Sequence, residues 1–305
     1  MAGVHDAMKV LVWRRGGIGD TVLLLPALKA LRRCFPRSHI TAVGNPGPLS
    51  LAIPPADEVR SADKALWAVL FSPASPNREL RPYLRGFDLA VVYTEDEFLI
   101  RGLEKAGVRQ VISWPPFPRE RIHEADHLLA ALTPLGIVDE DPTPRIESLK
   151  DVKGIWERLN LGERVLAVHP GSGSPEKNWS PERFAGLILW AEEELNISPL
   201  LLCGPADEEA VEGVVWALGK RPPVAEDLPL REVASVLRRC SAFVGNDSGI
   251  THIAAAVGTP TVALFGPSDP EVWAPRGPKV KVVASNRMDN LPIAAVQNAL
   301  KRILP

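Results

Sequence analysis

Cysteine is scarce in this chain. Three of its 305 residues are Cys (Cys34, Cys203 and Cys240), and no two share a paired spacing. That excludes a disulfide framework and fits the reduced thiols of a cytoplasmic protein. Long hydrophobic runs are also missing. None reaches the roughly 18 residues of a membrane-spanning helix. Charge of one sign is lacking too. A formal net charge of -2 leaves no broad basic excess to neutralise phosphates, which argues against a dedicated nucleic-acid binder. Residues 1–7 carry no apolar signal-like segment and read as an unstructured lead before Met8. What abounds is proline: 30 residues, about twice the usual share.

The remaining pattern alternates strand and helix. In the first half, Lys9–Trp13, 38–43, 88–93 and 110–113 read as strands, and Thr21–Cys34 reads as a helix with Leu24, Leu28 and Leu31 at helical spacing. No firm element is expected over 54–82, except a short helix near 65–70. In the second half, 165–169, 199–203, 242–244 and 261–265 read as strands. Helices are expected from Pro181, with Ser180 as N-cap, and over 208–218 and 230–239. Apolar strands alternating with helices predict parallel sheets covered on both faces. The fold class is therefore α/β, with two doubly wound Rossmann-like domains facing across a cleft. The expected boundaries are 1–150, 151–290 and a terminal amphipathic helix over 291–305, placed to dock back on the first domain. A polar linker, 138–144, separates the halves.

Three Gly-rich turns follow strands directly: 16–20, 171–174 and 245–249. The third is the most informative. Asn246-Asp247-Ser248-Gly249 opens a short Ala-rich helix that carries His252. Helix-start amides bind anions, above all phosphates. Asp247, Ser248, Gly249 and His252 therefore form a candidate phosphate cradle, although an ordinary capped β-α turn has the same composition. Lys177 follows the second turn and is the clearest cation for a diphosphate, with the Ser172 and Ser174 hydroxyls beside it. Asp20 ends the first turn, after Gly17 and Gly19, and is suited equally to capping the helix at 21–34.

These residues carry a resemblance. The chain resembles the bacterial ADP-heptose:lipopolysaccharide heptosyltransferases, glycosyltransferase family 9, which have the two-domain GT-B fold. Four blocks bear it: Arg15-Gly16-Gly17-Ile18-Gly19-Asp20; His169-Pro170-Gly171-Ser172 with Lys177-Asn178-Trp179; Cys203-Gly204-Pro205 with Asp207-Glu208-Glu209; and Asn246 through His252 to Gly266-Pro267-Ser268. The resemblance implies inverting sugar transfer from an ADP-sugar without an essential metal or other cofactor. It makes Asp20 the general base and puts Glu208 and Glu209 near the nucleotide ribose. Acids at a helix start also serve its dipole. The implied acceptor is a lipid-linked saccharide at the inner face of the cytoplasmic membrane, as in lipopolysaccharide core biosynthesis. Arg14, Arg15, Arg78, Arg81 and Arg85 are candidates for its acidic groups. Residues 45–125 match the family poorly, which leaves the acceptor open.

Other motifs carry less. His123-Glu124-Ala125-Asp126-His127 has the H-E-x-x-H form of helical zinc sites, but no third ligand follows. Asp139-Glu140-Asp141 has a D-x-D form but sits in the linker. Gly17 and Gly19 lack the third glycine of a dinucleotide fingerprint. The alternatives to a transferase are a nucleotide-sugar epimerase on the same fold and a non-catalytic nucleotide-sugar-binding protein.

Overall fold

The computed structural model describes residues 8–71, 80–138 and 140–304. The lead at 1–7, Arg78 and Asp139 lie outside the described residues. The chain divides into two units, Met1–Thr143 and Pro144–Pro305.

In the first unit, β1 (Lys9–Trp13), β2 (His39–Gly44), β3 (Glu58–Ser61), β4 (Leu89–Tyr93) and β5 (Gln110–Trp114) form one sheet in the order β3-β2-β1-β4-β5. Every pairing is parallel. β1 and β4 are buried along almost their whole length, which is why they read as unbroken apolar runs. β3 was not expected. Its sequence, Glu-Val-Arg-Ser, is only half-buried because it is an edge strand, where charge is tolerated. Its helices include α1 (Ile18–Cys34), α2 (Glu97–Ala106) and α3 (Glu124–Ala130). The core gathers Leu11, Trp13, Val43, Trp67, Leu70, Leu84, Val92 and Leu103.

In the second unit, β6 (Val165–His169), β7 (Ser198–Cys203), β8 (Val224–Glu226), β9 (Ala242–Asn246), β10 (Thr261–Phe265) and β11 (Val280–Ala284) form a parallel sheet in the order β11-β10-β9-β6-β7-β8. Its helices include α4 (Pro181–Leu195), α5 (Glu208–Leu218), α6 (Leu230–Arg239), α7 (Gly249–Ala256) and α8 (Ile293–Ile303). Ser180 caps α4 as expected, accepting from the Arg183 amide. Val296, Ala299 and Leu300 of α8 enter the core of the second unit, beside Ile188, Leu264 and Leu291.

In both sheets the first strand of the unit has neighbours on either side, β2 and β4 for β1, and β7 and β9 for β6. Chain direction across the sheet reverses there. Such switch points open a crevice at the carboxyl ends of the strands, the usual ligand position in open α/β sheets. The turn after β1 emerges at that end of the first sheet, and the turns after β6 and β9 at that end of the second.

Candidate active-site residues in each unit

In the first unit, α1 begins at Ile18, three residues before the expected start, so Gly19 and Asp20 lie inside the helix. Asp20 is not the N-cap. It is the third helical residue, and its Oδ2 accepts from the amide of Gly17, the N-cap residue, at 2.8 Å. Gly16 must be glycine for this approach, since a Cβ there would lie 2.6 Å from Asp20 Cβ. The second oxygen, Oδ1, accepts from Arg14 Nη2 at 3.0 Å. Capping and an ionic contact thus use different oxygens of one carboxylate.

Arg14 follows β1 directly and is buried. Its Nη1 donates to the Pro116 carbonyl at 2.8 Å and its Nη2 also to Glu124 Oε1 at 2.6 Å. The guanidinium lies 5.7 Å from the ring centres of Tyr93 and Phe117. Glu124, the first residue of α3, is fully buried. Burial pushes its carboxyl up to about 7 against the pull of Arg14, and the nearby Asp20 adds to the rise. Arg14 is therefore committed inside the fold, and the expectation that it meets acidic groups of an acceptor is corrected. Arg15 and Arg85 are exposed; Arg15 pairs with Asp63 at 3.1 Å. Arg81 donates to the Lys105 carbonyl at 3.3 Å. The two histidines of the H-E-x-x-H match do not converge on a metal. His123 Nδ1 accepts from the Ala125 amide at 3.1 Å, and His127 Nε2 lies 2.9 Å from the Pro115 carbonyl.

In the second unit, Asn246 ties two turns together. Its Nδ2 donates to the Pro170 carbonyl at 2.7 Å and its Oδ1 accepts from the Trp179 amide at 3.1 Å. Trp179 is buried and donates its indole proton to the Leu291 carbonyl at 2.9 Å, anchoring the loop to the core. Ser172 Oγ lies 2.6 Å from Asn178 Oδ1 and 2.7 Å from the Ser174 carbonyl, so it shapes the loop from within. Lys177 Nζ reaches Asp247 Oδ2 at 2.7 Å, with side-chain exposures of 34% and 9%. The expected cation and the expected acid of the cradle are therefore partners.

Ser248 is the N-cap residue of α7, yet its side chain does not cap. Its hydroxyl turns instead to His169 Nδ1, 3.2 Å away, and to Thr251 Oγ1, also at 3.2 Å. The first amides of α7 are left without a side-chain cap, which suits an incoming anion. On its other side, His169 Nε2 lies 3.0 Å from Asp207 Oδ2, which also accepts from the Gly204 amide at 3.0 Å. Burial alone would raise the Asp207 carboxyl, but the bond and charge of His169 and the Gly204 amide hold it below the usual range. His252 is buried, one turn into α7. Glu208 and Glu209 are exposed in the first turn of α5.

The sequence reading did not pair His169 with Asp207, and it met Glu124 only as part of the H-E-x-x-H match. The signal for the pair was faint: a histidine ending an apolar strand and an acid opening a helix, 38 positions apart. Gly171 reports on that pair, because a Cβ there would lie 1.9 Å from Asp207 Oδ1. Gly171→Ala should push the carboxylate off His169 and destabilise the protein by about 1–3 kcal/mol, the cost of stranding a buried polar group. Thermal unfolding checks it; an unchanged Tm would mean that Asp207 can move freely.

Two parallel-sheet α/β units with glycine-rich turns at both switch points have the architecture of the GT-B class. Residues 126–303 match the model of glycosyltransferase family 9 (heptosyltransferase). The chain belongs to that family. It is 32% identical over 178 residues to lipooligosaccharide heptosyltransferase 2 of Haemophilus influenzae, a match covering 55% of this chain and 49% of that protein. The chain thus spans about half the length of the curated relatives it matches. A family 9 glycosyltransferase from Veillonella parvula superposes with a TM-score of 0.82 at 22% identity, covering 98% of this chain and 99% of that one. An Escherichia coli heptosyltransferase solved with ADP-2-deoxy-2-fluoro heptose does so with a TM-score of 0.65 at 19% identity, covering 97% and 99%. Among the described residues no helix is long and apolar enough to cross a membrane.

Proposed function

We propose that this chain is an inverting, metal-independent heptosyltransferase that moves heptose from ADP-heptose to a lipid-linked saccharide of the lipopolysaccharide-core type. The observation that carries the reading is the start of α7. Its amides are uncapped because Ser248 is turned to His169, and Lys177 stands beside them. That is a seat for a diphosphate built from helix-start amides and one ammonium group.

In the reaction the acceptor hydroxyl oxygen attacks the anomeric carbon of the donor. The bond from that carbon to the diphosphate breaks, and ADP leaves with the electron pair. Asp20 takes the hydroxyl proton as the new bond forms. Its fixed position, with one oxygen on Gly17 and the other on Arg14, supplies orientation. Lys177 and the α7 amides stabilise the charge that gathers on the departing diphosphate. Asp247, held by Lys177, is assigned to hydroxyls of the donor sugar. Glu208 and Glu209, exposed at the start of α5, are assigned to the ribose of the nucleotide. Work at the inner face of the cytoplasmic membrane belongs to the same reading.

Incubation with ADP-heptose, with and without lipopolysaccharide cores, tests the proposal. Acceptor-dependent ADP release supports transfer. Acceptor-free isomerisation of the sugar would mean an epimerase, and binding without release a sensor. Activity is expected to survive EDTA, since Lys177 and backbone amides take the place of a divalent cation. Loss of turnover in EDTA, restored by magnesium or manganese, would overturn the metal-independent mechanism.

A further inference from the structure

Glu124 is a fully buried carboxylate that the mechanism above does not use. Its side chain ends on the same Arg14 nitrogen that holds Asp20. Nη2 lies 2.6 Å from Glu124 Oε1 and 3.0 Å from Asp20 Oδ1. One guanidinium therefore serves two carboxylates, one inside the fold and one at its rim, with side-chain exposures of 0% and 24%. Stability alone is a poor reason for this, because buried ion pairs seldom outweigh their desolvation. Glu124 Oε2 and Arg14 Nε even lack hydrogen-bond partners among the described residues. We propose that Glu124 is a positioning residue for the base: acting through Arg14, it sets how much positive charge reaches Asp20, and so how readily Asp20 accepts the proton of the acceptor. The proposal rests on the reading of Asp20 as that base.

The physics is a contest for one cation. With Glu124 ionised, two negative charges share Arg14, and less of its charge faces Asp20. With Glu124 protonated, Arg14 is left to Asp20 alone. Burial raises the Glu124 carboxyl to about 7, which places the change near neutral pH. The charged and titratable groups around Glu124 are Arg14 after β1, Asp20 on α1 and Tyr93 on β4, with His123, Asp126 and His127 nearest it in sequence. Tyr93 is held neutral by burial, and its hydroxyl donates to the Leu128 carbonyl at 2.8 Å. Burial also lowers the His127 imidazole, and Asp126 points to solvent. Arg14 is thus the cation through which the two acids meet.

Glu124→Gln keeps the size and can still accept from Arg14 but carries no charge. Two readouts are compared with wild type: the kcat–pH profile with ADP-heptose and a lipopolysaccharide core, and the titration of the Asp20 carboxyl followed by carbon NMR. In Glu124→Gln the Asp20 midpoint should move down. Above neutral pH kcat should fall roughly 3–30-fold, a fraction of the usual worth of a general base. KM for ADP-heptose should hold, and the rise of kcat through neutral pH should flatten. Arg14→Lys supplies the second variant. It keeps one charge but loses the planar fork that lets one guanidinium meet both carboxylates, so adding Glu124→Gln to it should move the Asp20 midpoint less than Glu124→Gln moves it in the wild-type protein. A wild-type profile together with an unmoved Asp20 midpoint overturns the proposal, and so does a lowered Tm with both unchanged. An active Asp20→Asn enzyme would instead sink the reading of Asp20 as base, while the NMR titration would still report whether Glu124 governs Asp20.

Discussion

Asp20→Asn should lower kcat roughly 10²–10⁴-fold while ADP-heptose affinity stays close to wild type, the signature of a group that acts as general base in the transition state. The structure sharpens this expectation. Both Asp20 oxygens accept, one from Gly17 and one from Arg14. An asparagine can accept with only one atom, so it must turn its amide toward one of these donors. Stability should fall by about 1–3 kcal/mol, the cost of leaving one donor without its acceptor. Arg14 keeps Glu124, so its charge is not stranded. Turnover and stability then diverge: a large kinetic loss beside a small shift in Tm. Steady-state kinetics and thermal unfolding on the same preparation measure both. A fully active Asp20→Asn enzyme would leave Asp20 as a helix-start residue only.

Lys177→Ala should weaken ADP binding by about 1.5–3 kcal/mol, the range for hydrogen bonds to charged groups. That is roughly a 10- to 150-fold rise in Kd, read by calorimetry. The partnership with Asp247 adds a second consequence. Removing the ammonium leaves a carboxylate that is 9% exposed without its ion-pair partner, so the free protein should also lose stability. Lys177→Ala/Asp247→Asn removes that penalty, and its Tm should recover while ADP binding stays weak. Unchanged ADP affinity in Lys177→Ala would remove this lysine from the donor site.

The fold was legible where residue type and local geometry agree. Val10-Leu11-Val12 and Val165-Leu166-Ala167-Val168 are buried strands because apolar β-formers on both faces leave no other solution. Ser180 before Pro181 marked a helix start for a purely local reason. β3, β8 and β11 were missed. All three are edge strands, and the charges of β3 (Glu58, Arg60) and the shortness of β8 hide them, whereas β11 has an apolar Val-Lys-Val-Val-Ala pattern that was passed over. The start of α1 was misplaced because Gly-Ile-Gly resists a helical reading. It is helical because Asp20 closes back on Gly17, a contact that spacing alone does not reveal.

The sequence by itself determined the α/β class and placed three glycine-rich turns directly after strands. Both follow from contacts between near neighbours in the chain, which periodicity and turn chemistry encode. Only the tertiary structure decided which side chains answer to one another. Arg14 meets Glu124 across 110 positions, His169 meets Asp207 across 38 and Lys177 meets Asp247 across 70. Each pair joins the end of one strand to a turn or helix that follows another, so its members become neighbours only when the sheet order brings those strands together. That is the physical reason an arginine that reads as a surface contact is buried, and a glutamate that reads as part of a zinc motif shares its cation with Asp20.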